Sequence, residues 1–203
     1  MEFVVLFGAL ALFIGVIVWA IRYARKQSKK KNDMYRALGL KLDMNYSETK
    51  HMLVKVPHLS GTRNDRLFEI YEYIVGSGKN QTVYTAIRYH KSPHNFQFRI
   101  GKENFFTKVG KKMGFKDIEF DNMELDKTFL FKSKDEDQFR SVMDYKLLHD
   151  LEGIEKSIRG TIENKDGLLT YTVVGATNKQ ERFDDLENVM SFMDKLVLKE
   201  VRR

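Results

Sequence analysis

The feature that most constrains this chain is Phe3–Ile21, FVVLFGALALFIGVIVWAI, nineteen consecutive residues without a charge or a proline. As a helix rising ~1.5 Å per residue the run is roughly 28 Å long, about the thickness of a bilayer's hydrocarbon core. A helix buried in a protein core would carry a polar stripe, and this one has none. A cleaved signal peptide would have a basic start, a shorter apolar run and a small-residue cleavage site. Here Met1-Glu2 is not basic, and the segment after the run is basic rather than small. The run reads as a retained, single-pass transmembrane anchor.

Charge sets its orientation. Arg22, Arg25, Lys26, Lys29, Lys30 and Lys31 come within ten residues after the run, whereas only Glu2 precedes it. The positive-inside rule puts the N-terminus outside and the C-terminal bulk in the cytoplasm, at the cell inner membrane. Trp19 and Tyr23 fall where interfacial aromatics mark the inner boundary. With the six basic residues they form the expected membrane-interface set, with anionic lipid at the inner face as the partner. Gly8, Ala11 and Gly15 lie near one helix face, where small residues allow close helix–helix contact with a protein partner or a second copy.

The net charge of +7 shrinks to +2 on residues 32–203 once the six basic residues and Glu2 are set aside. A nearly neutral domain lacks the basic face that nucleic-acid binding needs, so no nucleic-acid partner is expected. Hydrophobic residues at 42% and charged residues at 31% indicate a packed fold, and the absence of cysteine excludes disulfides, thiolate nucleophiles and Cys-based zinc sites. The division is therefore an anchor with its polybasic segment, 1–31, and one cytoplasmic domain, 32–203.

Within the domain, 32–42 reads as a short helix with Met34, Leu38 and Leu42 on one side, and 43–65 gives no clear signal. Arg66–Val75 and Thr82–His90 are β-branched and aromatic, joined by a Gly76–Asn80 hairpin connection. Asn95–Ile100 alternates, with Phe96, Phe98 and Ile100 on one face, and the three runs suggest a meander. Lys102–Met113 turns to helical spacing through Phe105, Phe106, Val109 and Met113. After an acidic link, Thr128–Lys132 returns to strand. Ser133-Lys134-Asp135-Glu136 matches a capping box for a helix through Phe139, Val142 and Met143, and a second helix spans about 145–155. Asp166-Gly167 marks a hairpin between Ser157–Glu163 and Leu168–Gly175. An amphipathic helix over about 182–201 closes the chain, with Phe183, Leu186, Met190, Met193 and Val197 in one stripe and Arg202 and Arg203 at the favourable end of its dipole. The pattern predicts an α+β fold with a mainly antiparallel sheet.

Searches for chemistry return little. Gly76-Ser77-Gly78-Lys79 fails as a phosphate loop, because Tyr73 stands where the first glycine belongs and Asn80 where Ser or Thr belongs. Ser28–Lys31 matches Ser-x-x-Lys only within the basic run, where no pocket would activate the serine. Four of the five histidines, His51, His58, His90 and His94, would converge only across neighbouring strands, and His149 stands apart. Asp117, Glu119, Asp121, Glu124 and Asp126 form an acidic stretch that reads as the outer face of an edge strand and, alternatively, as carboxylates for a membrane-bound hydrolase or transferase. No catalytic, cofactor or metal residue is assigned.

Glu124-Leu125-Asp126-Lys127-Thr128-Phe129, continuing through Phe131, Ser133, Asp135 and Arg140-Ser141-Val142-Met143 to Asp166-Gly167-Leu168, resembles a pattern in an uncharacterised family of bacterial membrane-anchored proteins. There a Phe-Asp/Glu-x-x-Phe strand precedes a Ser-x-Asp helix cap and an Asp-Gly hairpin. This chain has Leu125 where the family favours an aromatic. The resemblance implies a membrane-tethered bacterial domain without a known catalytic role. The sequence therefore predicts an interaction module, a subunit or accessory of a larger membrane assembly, with anionic-lipid sensing or membrane shaping as an alternative.

Overall fold

A computed structural model describes residues 2–51, 54–102 and 114–199, with side chains in the first helix from Leu12 onward. That helix, α1 (Glu2–Lys41), runs unbroken from the apolar segment into the domain. At ~1.5 Å per residue it is about 60 Å long. The helix expected over 32–42 is its last part, burying Tyr35 and Leu38.

The unassigned stretch 43–65 forms two strands, β1 (Asn45–His51) and β2 (Val54–Arg63). The signal is weak because β1, NYSETKH, is a polar edge strand with little apolar alternation. β2 turns into β3 (Arg66–Val75) through Asn64 and Asp65, both at positive φ, which short Asx side chains tolerate. β4 (Thr82–His90) comes after β3 through the Gly76–Gln81 turn, and these four strands are the meander.

The other five are β5 (Phe98–Gly101), β6 (Lys116–Ile118), β7 (Leu130–Ser133), β8 (Thr161–Lys165) and β9 (Leu168–Val174). Nine described strands make one antiparallel sheet, in the order β1-β2-β3-β4-β9-β8-β5-β7-β6. The run at Asn95–Ile100 therefore does not join the meander. The β8–β9 hairpin, turned by Asp166 and Gly167 at positive φ, inserts between β4 and β5.

Four more helices complete the described chain: α2 (Met123–Thr128), α3 (Glu136–Val142), α4 (Tyr145–Gly153) and α5 (Gln180–Val197). The expected Ser133 cap is displaced by two residues. Asp135 is the N-cap, its side chain accepting from the Gln138 backbone N–H at 3.0 Å and from the Gln138 amide at 2.8 Å. Ser133 instead bonds Gln97 and Asp135, holding the chain before α3. The expected helix at Lys102–Met113, apart from Lys102, and the closing Arg202 and Arg203 lie outside the described residues.

The main core cluster lies on one sheet face, while Val56 and Ala86 are buried on the other. Phe68, Ile70, Ile87, Phe98, Ile100, Phe131, Ile162 and Leu169 point inward from the strands. Leu38, Phe139, Leu151, Val189 and Met193 meet them from the helices. Period-2 alternation means that every other strand residue points to the opposite face.

Candidate functional site

Two regions stand out: the junction of α1 with the domain, and the sheet face opposite the core. From Leu12 to Tyr23 large apolar side chains project on every side of α1, with Leu12 71%, Phe13 64% and Trp19 67% exposed. Trp19 stacks on Tyr23 at 5.7 Å between ring centroids. Arg22, Arg25, Lys26, Lys29 and Lys30 also project freely, whereas Lys31, the last of the basic run, is buried. Its ammonium donates to Glu72 at 2.5 Å, and the Glu72 side chain is wholly buried.

Glu72 also accepts from the Tyr35 hydroxyl at 3.2 Å and the Thr177 backbone N–H at 3.0 Å. The Thr177 hydroxyl meets Thr85 at 3.1 Å. A carboxylate deep in a sheet costs several kcal/mol to desolvate unless compensated. These three donors provide that compensation, and they come from α1 and from the link leading to α5. Burial, reinforced by the charge of Glu72, raises the Tyr35 pKa and keeps its hydroxyl protonated. The result is a fixed joint between helix and domain.

On the face away from the core, no described helix covers the strands. Tyr73 and Tyr84 stack there at 5.3 Å, Tyr71 lies 5.8 Å from Tyr73, and the Arg88 guanidinium sits 4.9 Å over the Tyr71 ring. Burial raises the pKa of Tyr71 and Tyr73. His58 and His90 converge on one carboxylate, Glu69, at 3.0 and 2.5 Å. Burial works against the Glu69 charge, but hydrogen bonds and attraction from the two histidines outweigh it and hold the carboxyl below its ordinary pKa. Beside this cluster lies a shallow groove of about 250 Å³ lined by Arg88, Thr161, Glu163, Lys165, Thr170 and Thr172. Glu163 is engaged by Arg99 at 2.7 Å, whereas the Arg88 Nε is buried without a hydrogen-bond partner among the described residues.

The remaining candidates are dispersed. His94 is buried and bonded to the Leu196 carbonyl, and burial lowers its pKa. His149 is exposed on α4, and the side chain of His51 lies outside those described. Among the described residues no group of three or more His, Cys, Asp or Glu is placed to hold a metal ion. The acidic stretch does not form one strand face: only Asp117 belongs to edge strand β6, where it pairs with Lys132. Asp126 accepts from the backbone N–H groups of Phe120 and Asn122 and so ties the turn before α2, while Asp121 and Glu124 face solvent. None of these carboxylates lines the groove beside the tyrosines. The segment read as the family's Phe-Asp-x-x-Phe strand is α2, capped by Asn122. Gly8 and the Ala11 side chain lie outside those described, and Gly15 has open space around it.

Among the described residues no helix is long and apolar enough to cross a membrane; the described side chains of α1 begin at Leu12, inside the apolar run. The Tyr35–Glu72–Thr177 joint and the tyrosine face are not found by sequence pattern. One signal is nevertheless present: within β3 the inward positions are Phe68, Ile70 and Glu72, so an acid stands where the pattern demands an apolar residue.

The class of protein defined by these features is an α+β domain with one antiparallel sheet, helices on one face, and a long N-terminal helix whose C-terminal part packs into it. No family model and no curated protein matches the chain. Its structure is similar to the crystal structure of the mycobacterial trehalose monomycolate transport factor A, TtfA, with a TM-score of 0.57 and 13% identity. The alignment covers 88% of this chain and 99% of that one. At that identity the likeness is one of fold.

Proposed function

We propose that this protein is a non-enzymatic interaction module, anchored in the cell inner membrane by α1 with its domain in the cytoplasm, and that it serves a transport assembly as a subunit or accessory. The observation that carries the reading is α1 itself. A helix that exposes Leu12, Phe13, Ile14, Val16 and Ile17 together gains nothing from water, and lipid satisfies all its faces at once. The same helix is locked into the domain at Lys31, so the anchor and the domain behave as one body.

The bare sheet face supplies the docking surface. Tyrosine and arginine are the residue types that dominate binding energy at interfaces, and Tyr71, Tyr73, Tyr84 and Arg88 lie together on it. The fold likeness to a protein named as a transport factor supports the assignment to transport rather than to catalysis.

Purification of the native protein in mild detergent tests the reading. A companion should co-purify stoichiometrically, and Tyr73→Ala with Arg88→Ala should release it while circular dichroism still shows a folded domain with a cooperative, if lowered, melt. Recovery as a monomer without a companion, with or without crosslinking, would refute it. Protease added to intact cells should leave the domain uncut; cleavage from outside would reverse the topology.

A further inference from the structure

We infer that the strand-end rim formed by Val75, the Gly76–Gln81 turn and Val174 rests on an anionic lipid surface, so that the domain is seated on the membrane rather than suspended below it. The inference depends on the reading of α1 as a membrane anchor and adds an orientation to it.

The geometry comes from how α1 meets the sheet. Gly39 lies against Leu59, which pairs with Ile70 on β3. Eight residues nearer the N-terminus, Lys31 meets Glu72, further along β3 toward Val75. Ascending α1 toward its apolar segment is therefore the same as ascending β3 toward its C-terminal end. From Ile21, the last apolar residue of the run, to Lys31 is ten residues, about 15 Å of helix. From Glu72 the strand continues three residues to Val75, about 10 Å back toward the bilayer. This contact leaves the rim about 5 Å from the hydrocarbon boundary, and the contact of Gly39 with Leu59 beside Ile70 leaves it about 10 Å away, so the rim lies at the outer edge of the head-group layer, within reach of a lysine side chain.

Its chemistry suits that location. Val75 and Val174 are 50% and 53% exposed on the same sheet face. Lys79, in the turn, and Lys179, two residues beyond Thr177, are exposed and form no ion pair among the described residues. Arg22, Arg25, Lys26, Lys29 and Lys30 stand on the adjoining turns of α1. Of the acids nearby, Glu48 is engaged by Lys55 and Arg36, and Glu181 by Arg159, leaving Asp33 exposed. Apolar contact and unneutralised lysines together are what binding to an anionic interface requires.

The chain has no cysteine, so single-cysteine labels report cleanly. The full chain is placed in nanodiscs of phosphatidylcholine, or of one-third phosphatidylglycerol, with a fluorophore at Ser77→Cys, at Thr62→Cys on the far end of the sheet, or at Val18→Cys in α1. Nitroxide lipids should quench Val18 in both membranes, Ser77 strongly only in the anionic one, and Thr62 in neither. Raising salt to about 0.5 M should reverse the Ser77 effect. Replacing Lys79 and Lys179 by Glu should lower the seated-to-free equilibrium ratio by at least about 30-fold, from about fivefold per lysine. If Ser77 is quenched no more than Thr62 while Val18 is quenched, the seated orientation is wrong and the anchor stands; if Val18 itself is not quenched, the anchor reading fails.

Discussion

Glu72→Leu is the most informative single change. The carboxylate is fully buried, Lys31 is 11% exposed, and the two are 2.5 Å apart, so solvent does little to screen them. Removing one partner of such a pair strands the other charge and costs about 3–5 kcal/mol. For a chain of this size each kcal/mol lowers the melting temperature by about 2–4 °C, giving a fall of about 6–20 °C. Lys31→Met should cost somewhat less, since Glu72 keeps the Tyr35 hydroxyl and the Thr177 N–H. The double variant removes both charges and leaves only those two donors without the carboxylate, about 1–3 kcal/mol each and so about 2–6 kcal/mol together. Far-UV circular dichroism of the full chain in mild detergent reads all three. The double variant must be more stable than the sum of the single losses by at least about 2 kcal/mol, and the gap should survive high salt. Singly additive losses, or a Glu72→Leu penalty below about 1 kcal/mol, would show that the pair does not fasten α1 to the sheet.

Other changes probe the rest of the fold. Asp194 takes a two-pronged bond from Arg63 and hydrogen bonds from Asn64 and the Tyr89 hydroxyl; Asp194→Asn should cost about 2 kcal/mol in a melt, less than a fully buried pair because Arg63 is one-third exposed. A Cβ at Gly160 would stand 2.1 Å from the Thr172 carbonyl oxygen, so Gly160→Ala should lower stability by about 2–4 kcal/mol, whereas Gly153→Ala, with open space around it, should be near neutral by the same measurement. Glu69 has a folded pKa below its unfolded one, so its stabilisation is complete above the unfolded carboxyl pKa of about 4.3 and is lost as pH falls through the lower folded value. Melts from pH 6 down to 3 should accordingly fall less steeply for Glu69→Gln; equal slopes would show that the histidine pair contributes nothing. Phe139→Ala, at the centre of the aromatic cluster with Phe98 and Phe131, should cost about 3–5 kcal/mol.

Local pattern is enough wherever the physics is local. The alternation in Arg66–Val75 and Thr82–His90 sets those strands to the residue, and Asp166-Gly167 sets its hairpin, because side-chain period and positive φ are properties of a few adjacent residues. The apolar stripe of α5 and the α+β class are legible for the same reason. Sheet order is not: β5 is parted from β4 by a hairpin some seventy residues later, and nothing within either strand records which edge will be offered to it. Nor does the sequence separate Lys31 from the five basic residues before it, since all six look alike until the fold brings Glu72 beneath one of them. The acidic stretch mimics a single strand because Asn122 and Asp126 spend their oxygens on backbone N–H groups, a choice made between turn and strand only when Leu125 finds the core. Sequence alone settles the apolar segment, the basic run after it and the local elements; burial, which depends on distant partners, decides the joint and the tyrosine face.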